Sequence, residues 1–199
     1  MKSLIRDLIA IEAVKVETED YFTWTSGVRS PIYCDNRLTM SYPEIRRNIA
    51  DAFVEKIDGD IDVIAGCATA GIPHAAWVAE RLDLPMVYVR SSAKKHGKGN
   101  QIEGAVRKGD RAIVIEDLIS TGKSSIQAAE ALREAGVEVV EVLSIFTYGL
   151  DTADKAFEEA DLNYRSLATY LELMDELELT EEEYLRMKEW RANPYAFSS

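Results

Sequence analysis

Glu116 and Asp117 stand side by side after an apolar run, Ala112 to Ile115, and are followed closely by Ser120, Thr121, Gly122, Lys123 and Ser124. Adjacent carboxylates repel each other unless hydroxyls, cations or a metal occupy the space between them, so they are natural acceptors for sugar hydroxyls. The stretch after them carries hydroxylic side chains and one glycine, and it opens the helical pattern SSIQAAEALREAG. Backbone N–H groups at such a helix start converge on an anion, aided by the positive end of the helix. The combination reads as a cradle for a ribose 5-phosphate. A P-loop is excluded by its own spacing, because Asp117 occupies the position of its first glycine. An ordinary strand, turn and cap would explain the serines and the threonine, but not the carboxylate pair.

Two further segments carry chemistry. AGCATAGIP, residues 65 to 73, packs Gly66, Ala68, Ala70 and Gly71 into a short turn between an apolar run and a helical pattern. A ligand can approach such a backbone closely, although small residues also serve tight helix and sheet packing. Cys67 has only His74 and His96 as possible partners and no recognisable nucleophile pattern, so it reads as a small buried hydrophobe, and His74 as structural. From Arg90 to Arg111 there are seven Lys and Arg against two acidic residues, on a chain whose net charge is −12. That local reversal calls for an anionic partner, and Gly97, Gly99 and Gly104 suit a lid closing over a polyanion; a solvated basic hairpin is the plainer reading.

The elements that must hold these segments alternate as in a doubly wound sheet. Helical spacing marks residues 4 to 9. SYPEIRRNIADAFVEKI reads as a helix with Ser41 and Glu44 as a capping box and Pro43 in its first turn. Strands are predicted at IDVIAGCAT, PMVYVR, 111 to 115 and 137 to 147, with helices at IPHAAWVAERL and 124 to 135. The last fifty residues carry short helical patterns, and Trp190 is expected to dock the tail. Residues 94 to 109 show no stable apolar period.

At 199 residues and 47% apolar content the chain can bury one sizeable core, with no linker-like segment to divide it. The acidic balance disfavours nucleic acid and membrane surfaces as partners. Two cysteines without metal-ligand spacing, and no signal-like or long apolar segment, make a reducing cytoplasm the expected location.

IVIEDLISTGKSS resembles the phosphoribosyl pyrophosphate signature of the type I phosphoribosyltransferases. FTWTSGVRSPIYCDNR (22 to 37), AGCATAGIPHA (65 to 75) and VRSSAKKHGKGNQIEG (89 to 104) narrow the likeness to the members of that family that use orotate. The resemblance implies a mainly parallel, twisted α/β sheet flanked by helices in a single domain. A small hood would comprise residues 1–38 and part of the C-terminal tail, over a core at 39–150 with a flexible catalytic loop at 92–106. The implied reaction moves the phosphoribosyl group from 5-phosphoribosyl 1-diphosphate to orotate, giving orotidine 5'-phosphate and diphosphate, a step of pyrimidine synthesis, with Mg²⁺ carried mostly by the donor. Lys94, Lys95, His96 and Asp117 would be catalytic. Arg90, Lys94, His96, and the run Glu116, Asp117, Leu118, Ile119, Ser120, Thr121, Gly122, Lys123 and Ser124 would bind the donor, and residues 65 to 71 its pyrophosphate. Ser120 and Arg29 are the candidates for orotate, with Trp24 or Tyr148 offering either a ring face or core packing. The enzyme would be a homodimer whose loop reaches the neighbouring subunit's site. Thr25, Ser91 and FTYGLD depart from the enterobacterial pattern, which has Lys, Lys and an Arg at those places. A transferase for another base and a non-catalytic donor sensor are the alternatives; the latter would need a nucleic-acid reader that the chain lacks.

Overall fold

The computed structural model describes residues 2–24, 27–91 and 101–197. In chain order the helices are α1 (Lys2–Ala10), α2 (Pro43–Lys56), α3 (Gly71–Leu82), α4 (Lys123–Glu134), α5 (Asp151–Glu159), α6 (Tyr170–Glu176) and α7 (Glu181–Ala192). The strands are β1 (Val14–Val16), β2 (Phe22–Thr23), β3 (Arg29–Ser30), β4 (Ile32–Cys34), β5 (Val63–Cys67), β6 (Met86–Val89), β7 (Ile102–Glu103), β8 (Arg111–Ile119), β9 (Glu138–Thr147) and β10 (Tyr164–Thr169). Six of them form the main sheet in the order β10-β9-β8-β5-β6-β7, parallel except for the β6–β7 pair.

Both faces of the sheet are covered, which is why its strands read as uninterrupted apolar runs. Ile64, Ile113, Ile115, Leu143 and Ile145 face α1, α2 and α3 in one core. The intervening Val63, Ala65, Ala112, Val114 and Val142 face α4 and α5 in the other. The alternation places the carboxyl ends of β5 and β8 at one edge, where open α/β sheets bind ligands.

Residues 14 to 34 form two small antiparallel ladders, β1 with β4 and β2 with β3. The tail packs on them: Trp190 is fully buried, and its Nε1 donates to the Arg29 carbonyl at 2.6 Å. Trp24, Tyr148 and Tyr170 surround that indole with ring centroids 5.7, 6.1 and 5.5 Å away.

Three expectations need correction. The strand expected at 111 to 115 continues to Ile119, with Glu116 opposite Ser144 and Ile119 opposite Thr147, so the carboxylate pair lies on a strand still in the sheet. β10 extends the main sheet past residue 150, in a stretch whose apolar residues sit among helical patterns and gave no strand signal of their own. The Ser41 and Glu44 capping box does not form, because Ser41 ends a 3₁₀ helix (Asn36–Ser41) and Tyr42 becomes the cap of α2, with Pro43 as its first residue.

Candidate active site

Three segments meet over the carboxyl ends of β5 and β8: the turn after β5, the β8-to-α4 connection, and the 3₁₀ segment after β4. Between them lies a cavity of about 870 Å³, lined among others by Asp35, Arg37, Thr69, Glu116, Asp117 and Ser124. Asn36 fastens the third wall to the second, its Nδ2 donating to the Asp117 carbonyl at 2.7 Å.

Glu116 is only 5% exposed. Its Oε1 accepts from the Asp117 N–H at 3.0 Å, and its Oε2 from the hydroxyls of Ser124 at 3.0 Å and Ser125 at 3.3 Å. Burial first, and the neighbouring Asp117 charge second, push the Glu116 carboxyl up to about 8. Burial also raises Asp117. Burial and mutual repulsion thus disfavour full ionisation of the pair. The buried Cys67 thiol behind it is raised by burial and by Glu116, which suits a small apolar filler rather than a nucleophile.

The two helices that start at the cavity are electrically alike. α4 begins at Gly122, in the left-handed region at φ 79°, and α3 begins at Ala70; neither start has a side-chain cap or an acidic residue in its first turn. Gly71 presses α3 against β8 so closely that a Cβ there would meet the Ile115 carbonyl oxygen. The Ala68–Thr69 peptide is cis, and the Ala68 N–H donates to the Val89 carbonyl at 2.9 Å. Neither turn closes its helix start with a side-chain cap, so backbone N–H groups there can face an anion at the positive end of a helix dipole.

The other expected residues divide. Leu118 lines the cavity; Ile119 is buried, and its carbonyl accepts from the Tyr148 N–H and the Thr147 hydroxyl. Ser120, Thr121, Gly122 and Lys123 make the connection into α4. Arg90 stands at the neck of the basic segment, where its N–H and carbonyl both bond Gln101, and its guanidinium lies 3.5 Å from Glu103. Lys94, Lys95, His96 and Thr25 lie outside the described residues. Arg29 is not brought to the cavity: its side chain lies over the Tyr21 ring, 5.9 Å from the centroid, and lines a separate cleft with Arg186 and Phe197. Trp24 and Tyr148 belong to the aromatic packing around Trp190, not to the cavity lining. His74 is buried edge-on to Trp77, and burial pushes it down to about 4. The sequence reading missed Arg37, Asp35 and Met40, although SPIYCDNR contains the first two and marks them only as a polar turn after a strand.

The phosphoribosyl transferase domain family matches residues 37–166. An orotate phosphoribosyltransferase of Oceanobacillus iheyensis is 58% identical over 189 residues, which cover 92% of this chain and 94% of that one. The chain belongs to the orotate phosphoribosyltransferase family. Among solved members, the Aeropyrum pernix orotate phosphoribosyltransferase superposes with a TM-score of 0.76 at 30% identity, covering 86% of this chain and 96% of that one. The Mycobacterium tuberculosis orotate phosphoribosyltransferase in complex with 5-phospho-α-D-ribosyl 1-diphosphate gives 0.67 at 26%, covering 86% and 97%. The chain is accordingly a pentosyltransferase of pyrimidine biosynthesis, acting on orotate. Among the described residues no helix is long and apolar enough to cross a membrane.

Proposed function

We propose that the cavity works as follows. The ribose hydroxyls of the donor bond to Glu116 and Asp117, the 5-phosphate sits on the Ser120–Ser124 turn at the start of α4, and the pyrophosphate lies against residues 68 to 71 at the start of α3. The observation that carries this reading is the pair of uncapped, acid-free helix starts on either side of one buried carboxylate pair. The nitrogen of orotate forms a bond to the anomeric carbon as the bond to pyrophosphate breaks and its electrons leave with that group. The charge of orotate sits on its carboxylate, so the proton on the attacking nitrogen must leave as the new bond forms, and the departing pyrophosphate, whose oxygens gain the electrons, is its acceptor. The ribose gains positive character as this happens, and Asp117 next to it stabilises that charge. Lys94, Lys95 and His96, with Arg90 at the root of their segment, balance the departing pyrophosphate.

Among the described residues no cluster of three or more His, Cys, Asp or Glu side chains could cage a metal. That donor set fits Mg²⁺ held mainly by the phosphate oxygens of the donor, with the Glu116 and Asp117 carboxylates nearby. Bound there, the ion would neutralise charge on the leaving group. We further assign the enzyme as a homodimer whose basic segment serves the neighbouring subunit's site, in a reducing cytoplasm compatible with the two free thiols.

The test is a steady-state assay of pyrophosphate release with donor, Mg²⁺ and one base at a time. Orotate should be turned over with a far higher kcat/KM than uracil, adenine or hypoxanthine; turnover of a purine without orotate would sink the reading. For the shared loop, an inactive Lys94→Ala chain mixed with an inactive Asp117→Asn chain should regain part of the activity. No recovery despite verified subunit exchange would place the loop over its own site.

A further inference from the structure

We infer that Arg37 is the residue that selects a pyrimidine carboxylate as the acceptor, by receiving that carboxylate on its guanidinium at the cavity wall formed by residues 34 to 40. The inference rests on the reading above, which assigns three of the cavity's surfaces. Ribose takes the Glu116 and Asp117 floor, the 5-phosphate takes the start of α4, and pyrophosphate takes the start of α3. The surface left for the base is that of Cys34, Asp35, Arg37 and Met40. Its chemistry fits a flat ring bearing one negative group. Met40 offers a polarisable thioether, and Cys34 lines the same cavity with its thiol donating to Asn36 Oδ1 at 3.3 Å. Burial raises that thiol, so it stays neutral.

Arg37 is the one cation among the described residues that line the cavity, against three carboxylates, Asp35, Glu116 and Asp117. An anionic acceptor entering such a space needs that cation. Arg37 is also held ready for it. Asp35 Oδ1 accepts from Arg37 Nε at 2.6 Å and from the Arg37 backbone N–H at 3.2 Å, and Oδ2 accepts from a terminal nitrogen at 2.9 Å. That pairing aligns the planar fork without using all of its N–H donors, and the side chain remains 61% exposed. The bond from Asn36 to the Asp117 carbonyl ties this wall to the strand that holds the ribose. A carboxylate on Arg37 would therefore sit at a fixed distance from the anomeric carbon. In orotate the carboxylate is on the ring atom next to the attacking nitrogen, so one contact would both select the base and aim it.

Arg37→Ala decides the matter when KM is measured for each substrate separately. The KM for orotate should rise about tenfold or more, as expected for losing a charge-assisted pair. The KM for the donor should stay within about twofold, and the melting temperature should hold because the side chain is largely exposed. The wild-type preference for orotate over uracil, as a ratio of kcat/KM, should collapse by a similar factor, which a purely structural role would not produce. An unchanged KM for orotate overturns the inference, and so does an equal rise in both KM values, which would assign Arg37 to the pyrophosphate. Wild-type protein that fails to use orotate would instead overturn the underlying reading.

Discussion

The helices at the cavity and the helices of the tail begin in opposite ways. α6 and α7 each start with a complete capping box, Thr169 with Glu172 and Thr180 with Glu183, and α7 adds Glu181 and Glu182 to its first turn. α3 and α4 have neither device. α2 and α5 fall on the tail's side of this divide, since both carry acid in their first turns, Glu44 in one and Asp151 with Asp154 in the other. On a chain with net charge −12 the helices without acid in the first turn are α1, α3 and α4, and of these α3 and α4 start at the cavity. The tail helices satisfy their terminal N–H groups internally and gain stability from doing so. The cavity helices have no such cap, and in the proposed reading their terminal N–H groups face the donor instead.

If the tail is built for stability, its largest contribution should be the burial of Trp190. Trp190→Ala removes a fully buried indole and its bond to the Arg29 carbonyl, and should destabilise the protein by about 3–5 kcal/mol in denaturant unfolding. The protein that remains folded should keep its KM for the donor. A large rise in that KM at low temperature, where the variant is folded, would break the distinction between tail and site.

The converse substitution places acid where the cavity helices exclude it. Lys123 is exposed at the first position of α4. Lys123→Asp should raise the KM for the donor by roughly 100-fold, because a carboxylate would face the 5-phosphate at close range. The melting temperature should stay level or rise, since an acid at a helix N-terminus contributes about 0.3–1 kcal/mol. Loss of stability with unchanged donor KM would assign the α4 start to folding after all.

How much of this could be read from the chain follows the same divide. Strand, carboxylates, glycine and hydroxyls at 111 to 125 lie together in sequence, so the side of the cavity proposed for the phosphate is legible there as local chemistry. The wall proposed for the acceptor is not. Arg37 gains its meaning from Asn36, whose partner Asp117 is 81 positions away, and no local pattern reports that bond. Arg29 is the cation that the SGVRSP motif offers, but its side chain lies over Tyr21 and lines a separate cleft. β10 escaped notice for a related reason: six residues, YRSLAT, run directly into the helix that Thr169 caps, so strand and helix signals overlap. The Ser41 and Glu44 pattern shows the reverse error, a correct signature displaced by a competing 3₁₀ turn and by Pro43.

Glu116 sharpens the comparison through pH. Its carboxyl is raised from an ordinary value of 4.5 to about 8, so between those values the folded chain holds a proton that the unfolded chain has released. Stability from this group is complete below 4.5 and is lost as pH rises through 8. His74 acts in the opposite direction, lowered from 6.5 to about 4, and withdraws stability as pH falls across that range. The window from 6.5 to 8 therefore lies outside the His74 range and reports the buried Glu116 and Asp117 pair. There the melting temperature of the wild type should fall by on the order of a few degrees relative to Glu116→Gln, in which the side chain is neutral at every pH. Parallel curves for the two proteins would mean that the buried pair is ionised without strain. The Thr180 and Glu183 pair gives the tail's contrasting case: the hydrogen bonds of the box, Thr180 first, hold the Glu183 carboxyl down to about 2.

The smallest expected effect belongs to that box. Thr180→Ala removes the hydroxyl that accepts from the Glu183 N–H and donates to the Glu183 carboxylate, and should cost about 1 kcal/mol. Glu183 would keep its bond from the Thr18 hydroxyl, so α7 should fray at its first turn while staying attached at Thr18. Both KM values and kcat should be unchanged at temperatures well below the melting point. Because the substitution alters only a helix start, it is the direct counterpart of Lys123→Asp: one should change stability without chemistry, the other chemistry without stability. A kinetic defect in Thr180→Ala would show that the tail's N-terminal order is transmitted to the cavity, through Trp190 and the backbone of Arg29, and the two classes of helix start would then be parts of one site.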